Sequence, residues 1–431
     1  MLAALAFASA AHAQALTDRE QLGKSIFFDD NLSINFNQAC AVCHGPEVGW
    51  TGPDPTINAG GAAYQGSIPG RFGNRKPPSS AYATEAPILH FVIGKKKDPP
   101  LFVGGNFWDG RATGERLGNP AADQAQGPFL NPLEQALPDS ACVVYRVCTA
   151  AYPVTFEDVY PGACAIAWPA DVGATCATEG ATLALSLDDR ARADSAYDQI
   201  ALAIAAFEGS SESNAYTSKY DAYLAGEYKL TKMEKLGLNM FRGKGKCAAC
   251  HILEEGPDGE PPLLTDFTFD NLGAPRNPDN PFYTQAAFNP AGYGWIDMGL
   301  GEFLANSGYT EYAADNDGKQ KVPTLRNVDL RPYPGFVKAY GHNGYFKSLK
   351  QIVHFYNTRD AKPTCMDDPA TPVDESLFTP VEEAIAKGCW PEAEVLENVN
   401  DSELGNLHLT DDQEDAIVEF MKTLSDGYMA D

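Results

Sequence analysis

The chain has 431 residues, 44% of them hydrophobic, more than one ordinary core holds and enough for two domains of roughly 200 residues each. Its formal net charge of −26 argues against a nucleic-acid partner, whose phosphates it would repel; solubility explains the acidity, and steering toward a basic protein is the sharper reading. No apolar run beyond the N-terminus approaches the ~20 residues of a membrane span, and 39 Gly with 31 Pro predict long loops around short helices.

Residues 1–13 read as a secretory signal, an apolar stretch closed by the small-x-small site Ala11-His12-Ala13. The basic segment that opens such signals is missing, as expected if the true start lies upstream. Thr17 and Glu20 form a T-x-x-E capping box that opens an amphipathic helix carrying Leu22, Gly23 and Phe27. The pentamer Cys40-Ala41-Val42-Cys43-His44 follows. Residues 139–189 hold four cysteines with little regular pattern and read as a disulfide-stapled insertion. Tyr197–Glu208 has helical periodicity, and polar Gly209–Asn214 is the candidate linker.

The pattern then repeats. Thr231 and Glu234 form a second capping box, continued by Leu236, Gly237 and Phe241 at a constant offset of 214 from the first, and Cys247-Ala248-Ala249-Cys250-His251 follows at an offset of 207. Gly256–Tyr293, rich in Pro, Asn and Asp, reads as loop. A helix near Thr410–Leu424, with Ile417, Phe420, Met421 and Leu424 on one face, closes the second unit.

C-x-x-C-H has a chemical reason. Two thiols three positions apart reach the two vinyl groups of one haem, and the adjacent His points its imidazole at the iron. A structural zinc site wants two such pairs or distant histidines converging on one metal, whereas each pentamer carries its own His. The expectation is two covalently bound c-type haems. The other six cysteines, Cys142, Cys148, Cys164, Cys176, Cys365 and Cys389, suggest three disulfides in an oxidising compartment, hence a periplasmic or secreted protein. The first four are expected to pair among themselves and Cys365 with Cys389, with connectivity left open.

An ordered series of segments resembles the bacterial di-haem cytochrome c peroxidase and MauG superfamily: LGKSIFFDDNLSINFNQACAVCH (22–44), GGNFWDGRA (104–112), QAQGPFLNPLEQA (124–136), CAACH (247–251), KVPTLRNV (321–328) and GHNGYFKSLKQIVHFYNTRD (341–360). The resemblance implies a mainly α fold of two tandem cytochrome c-like haem domains with long loops. The N-terminal peroxidatic domain would span 14–210, including the insertion, and the C-terminal electron-transfer domain 211–431. It implies an electron relay at Trp108 between the haems. Gln124 and, ten residues on, Glu134 would stand over the peroxidatic iron, where a carboxyl can take a proton from one peroxide oxygen and return it to the other. No His occurs from Gly45 to Leu89, so the blocking ligand of family members that need reductive activation is missing, and the first iron is expected five-coordinate. His90, in APILHFV, reads as structural.

The helix after His342-Asn343-Gly344 carries the sixth ligand of the second haem, a Met in the family's ordinary peroxidases and a Tyr in MauG-type enzymes. The register puts Tyr356 there. His354 competes, but positions i and i+2 face different sides of a helix. His342 is implied as a near-haem hydrogen-bonding residue. Arg326 and Arg111 are candidates for propionate contacts or ion pairs, and Met240, Met298 and Met421 for core packing. Family members hold Ca²⁺ between the domains through an Asn; here Lys76 stands at that place, which argues against calcium unless Asn74 substitutes.

These expectations converge on a peroxidase that uses H2O2 to form a high-valent di-haem state and oxidises an external substrate, a protein among the candidates. The alternatives are a peroxidase reducing H2O2 to water with electrons from a small cytochrome, and a non-enzymatic di-haem electron carrier.

Overall fold

The computed structural model describes residues 15–93, 100–256, 259–365 and 379–429, so the proposed signal at 1–13 lies outside them. Seven helices of ten or more residues organise this part of the chain. They are α1 (Asp18–Phe27), α2 (Pro120–Leu130), α3 (Ser140–Thr149), α4 (Leu187–Glu208), α5 (Lys232–Arg242), α6 (Leu349–Thr358) and α7 (Asp411–Lys422). Strand is confined to two antiparallel pairs. β1 (His90–Val92) lies on β2 (Leu101–Val103) with Phe91 opposite Phe102, and β3 (Phe269–Asp270) lies on β4 (Gln320–Lys321) with Phe269 opposite Lys321. The fold is mainly helical with long loops, as expected.

Both capping boxes form. Thr17 accepts from the Glu20 backbone N–H while Glu20 bonds back, and Thr231 and Glu234 do the same. The repeat extends to packing. A Cβ on Gly23 would lie 1.9 Å from the Ala203 carbonyl oxygen of α4, and one on Gly237 would lie 1.9 Å from the Ala416 carbonyl oxygen of α7. Each glycine therefore lets a capped helix touch the backbone of a later one. Beside the crossings, Phe27 meets Phe207 with ring centroids 5.6 Å apart, and Phe241 meets Phe420 at 5.2 Å. One apolar cluster draws on residues Leu22 to Phe207 and a second on Tyr220 to Leu424.

Two sequence expectations need correction, and a third gains detail. Residues 139–189 are not irregular: α3 runs through them, and its Val143, Val144 and Val147 belong to the first apolar cluster. The Arg146 guanidinium, also on α3, donates to the Asn31 and Ser33 carbonyls, tying the segment to the loop before the first pentamer. Disulfides Cys142–Cys176 and Cys148–Cys164 join within this segment, and Cys365 pairs with Cys389. Second, α4 begins at Leu187, ten residues before the apolar periodicity. Its first turns are charged and largely exposed, so the start rests on the Ser186 cap, which accepts from the Asp189 N–H. Third, the candidate linker 209–214 is packed into the fold. Ser210, Ser213 and Asn214 are buried, and Asn214 Oδ1 accepts from the Tyr82 N–H at 2.6 Å.

Gly23→Ala and Gly237→Ala should each destabilise the protein by about 1–3 kcal/mol or more through overpacking, read as lower melting temperatures. Two neutral substitutions would contradict the close crossings.

Candidate functional site

Each pentamer begins as a single 3₁₀ turn, Cys40–Val42 and Cys247–Ala249. The backbone N–H of His44 bonds the Cys40 carbonyl at 3.0 Å, and that of His251 the Cys247 carbonyl at 2.9 Å, which folds thiols and imidazole to one side. Cys40, Cys43, Cys247 and Cys250 are half-buried free thiols. His44 Nδ1 donates to the Trp50 carbonyl at 3.2 Å and His251 Nδ1 to the Leu264 carbonyl at 2.8 Å, leaving both Nε2 atoms as acceptors. Burial pushes both imidazoles down to about 4, so they are neutral at pH 7. Two thiols and one neutral, oriented imidazole per site are the donor set a c-type haem takes, and the residues fit that group.

Cys247, Cys250 and His251 line a cavity of about 220 Å³, together with Tyr356, His342 and Trp108. Tyr356 comes from α6; its hydroxyl has no hydrogen-bond partner among the described residues, and burial, then the nearby Asp270 carboxylate, push its pKa up. His354, two positions earlier, is tied down away from this cavity. Its Nδ1 meets Glu414 at 2.9 Å and its Nε2 lies 2.7 Å from the Lys362 ammonium. Met421 also lines the cavity from α7, packed in the core beside Ile417.

His44 lines two smaller adjoining cavities. Gln124 of α2 faces both, and Glu134 lines the one that contains Cys40 and Cys43. A tight turn positions Glu134. Its N–H bonds the Asn131 carbonyl, its carbonyl accepts from Ser67, and Asn131 Nδ2 donates to Oε1 at 2.8 Å. Burial raises the Glu134 pKa against the opposing pull of Arg111 and Asn131. No second His and no Met lines these cavities among the described residues. His90 sits on β1 with Nδ1 on the Ile88 carbonyl, away from them.

Trp108 belongs to both the large cavity and one on the His44 side, so its indole stands in their shared wall. Nε1 donates to the Lys76 carbonyl at 2.8 Å, and the Trp108 carbonyl accepts from the Lys321 N–H at 2.7 Å. Gly110 (φ +73°) makes the W-D-G turn possible, since a Cβ there would meet the Phe269 ring at 2.7 Å. His342 stands edge-on to the indole at 6.5 Å, with Nε2 3.6 Å from Glu394 and 3.8 Å from Asp297.

The two arginines are held by protein carboxylates. Arg326 is bidentate on Asp221 at 2.8 and 3.0 Å; Arg111, whose side chain is 42% exposed rather than buried, pairs with Asp109 and lies over the Phe107 ring. At the place of the family's calcium-binding Asn, the Lys76 ammonium bonds Thr51 Oγ1 and the Pro77 carbonyl, and the Asn74 carbonyl accepts from Asn280.

Sequence reasoning missed Glu208. It ends α4, is 3% exposed, lines both His44 cavities and has an Oε2 without a partner among the described residues. The available signal was a carboxylate four residues after Ile204 on the apolar face of the helix. Burial pushes its pKa up to about 8.

The sequence signature of the di-haem cytochrome c peroxidase family matches residues 17–229. The chain is 32% identical to methylamine utilization protein MauG of Paracoccus denitrificans over 410 residues, 94% of this chain and 88% of that protein. It is 26% identical to cytochrome c551 peroxidase of Nitrosomonas europaea, over 78% of this chain and 72% of the relative. Its fold superposes on that of the diheme peroxidase BthA from Burkholderia thailandensis with a TM-score of 0.69 and 26% identity, covering 97% of this chain and 88% of the other.

Because burial raises the Glu208 pKa from 4.5 to about 8, folded protein binds more protons than unfolded between those values, and stability falls as pH rises through that window. Glu208→Gln should melt with wild type near pH 4.5 and at least about 2 °C above it at pH 8. Parallel pH profiles would contradict an ionisable group buried there.

Proposed function

The chain belongs to the di-haem cytochrome c peroxidase and MauG family of haem-dependent oxidoreductases, and on that premise we propose that it uses hydrogen peroxide to withdraw electrons from an external substrate, a protein side chain among the candidates. The proposed cofactors are two c-type haems, one on Cys40, Cys43 and His44 and one on Cys247, Cys250 and His251, in cytochrome c-like domains 14–210 and 211–431. The haems supply peroxide cleavage and storage of oxidising equivalents. The chain supplies the proton chemistry, the ligands and the wall between the sites.

In this reading Glu134 accepts a proton from one peroxide oxygen and delivers it to the other, with Asn131 fixing one carboxyl oxygen. Gln124 positions the bound peroxide, and Trp108 is the relay between the sites. Tyr356 is the second protein ligand of the C-terminal iron. The observation that carries the oxidase reading is the free Tyr356 hydroxyl facing the His251 cavity while both nitrogens of His354 are engaged elsewhere. A phenolate is a hard anionic donor that favours the higher oxidation state, so it disfavours a haem fed by a conventional small cytochrome. Three disulfides suit a periplasmic or secreted location, and among the described residues no helix is long and apolar enough to cross a membrane.

Optical and EPR spectra of the oxidised holoprotein, before and after one equivalent of H2O2, test this. Expected are one high-spin and one low-spin haem at rest, then a spectral change that persists until a reductant is added. Two low-spin haems inert to peroxide would leave an electron carrier. Glu134→Gln should slow the change about 10²–10⁴-fold with an unaltered resting spectrum.

A further inference from the structure

Two lysines in the wall around Trp108 have more hydrogen-bond donors than the protein uses. An ammonium has three. Lys76, nine-tenths buried, donates to Thr51 Oγ1 and the Pro77 carbonyl, both at 2.9 Å, which leaves one N–H. Lys321 donates to Asn106 Oδ1 at 2.7 Å, which leaves two. Every acceptor is neutral, and among the described residues neither lysine has a carboxylate within salt-bridge range. Burial pushes Lys76 down to about 8 and Lys321 to about 7.

The neighbouring cations are different. Lys338, lining the same large cavity, spends all three donors on the carbonyls of Val48, Asn327 and Leu330. Arg75 is held by Asp297 and Asp109, and Arg326 by Asp221. Lys246 lines the same cavity and bonds the Ser402 carbonyl, but it is exposed to solvent. Among the described residues of this wall, Lys76 and Lys321 combine unspent donors, no counter-charge and a buried or half-buried place; Lys321 lines the His44 side as well. Burying an unpaired ammonium is unfavourable unless an anion arrives with hydrogen-bond geometry.

We propose that Lys76 and Lys321 are carboxylate-binding residues, each holding a haem propionate that reaches the shared wall beside Trp108. The assignment rests on the two-haem reading above, and it moves the propionate role from the two arginines to two lysines. Each charge-assisted hydrogen bond satisfies a buried ammonium and neutralises a propionate next to the indole. A cation paired with a haem propionate favours the reduced haem, so removing it lowers a midpoint potential.

The test is a spectroelectrochemical titration of holoprotein, with haem counted and melting recorded, for wild type, Lys321→Met, Lys321→Arg and Lys76→Met. Each Met variant should keep two haems and shift the redox equilibrium of at least one about tenfold toward the oxidised form, ~59 mV for one electron. Lys321→Arg should stay near wild type. Two bound haems with lower melting temperatures but unmoved potentials would mean a structural role only and overturn the assignment alone. Fewer than two haems in wild type would overturn the cofactor reading beneath it. Wild-type potentials should be the same with and without inorganic phosphate; a phosphate-dependent shift would make these lysines a site for exchangeable anions instead.

Discussion

The placement of Tyr356 depends on an interaction that never touches it. Glu414 of α7 and Lys362 after α6 hold His354 between them, a buried carboxylate on one ring nitrogen and an ammonium against the other. The clamp fixes the rotation of α6. With His354 turned toward α7, Tyr356 is rotated by two helical positions and faces the cavity of His251. Glu414 also accepts from Asn357 at 2.6 Å and pairs with Lys350 at 3.1 Å, so contacts on three successive turns stop α6 from rolling. A competing imidazole two residues from Tyr356 is thus withheld from the proposed iron site by its own hydrogen bonds.

The wider architecture serves the same end. Two helix crossings closed by Gly23 and Gly237 set each C-x-x-C-H turn against its own core. The loops between them build a common wall. There the Trp108 indole is pinned through Nε1 on one side and through the backbone of β4 on the other. Around it the charges are sorted. Arg75 and Arg111 balance Asp297 and Asp109, whereas Lys76 and Lys321 have no such partner and are proposed to await anions brought by a cofactor. Polar burial of this kind is unfavourable in an empty shell and becomes favourable once the groups it awaits are in place.

Much of this was legible in the sequence where spacing alone carries the meaning. The pentamers, the capping boxes and the glycines at a fixed offset are local patterns, and each names its own geometry. The family register drew attention to Tyr356, and helix periodicity already set it on a different face from His354, with which the cavity lining agrees. What stayed hidden depends on partners far along the chain. Glu208 reads as the polar end of a helix until the fold folds it against the His44 cavities. In the sequence Lys76 reads only as a misfit for a calcium site and Lys321 as the first residue of KVPTLRNV; the lack of carboxylates around them among the described residues is what suggests their role. The helix in the insertion escaped because its cysteines suggested a stapled loop, although Asp139 caps it and its valines bury against α4.

The claim that a phenol oxygen caps the second iron meets its most direct test in resonance Raman spectroscopy of the oxidised holoprotein grown with ring-deuterated tyrosine. Phenolate ring modes that shift with the label and vanish in Tyr356→Phe are the expected result. Spectra without such modes, or modes that survive the substitution, would contradict the account and hand the position to Met421 or His354.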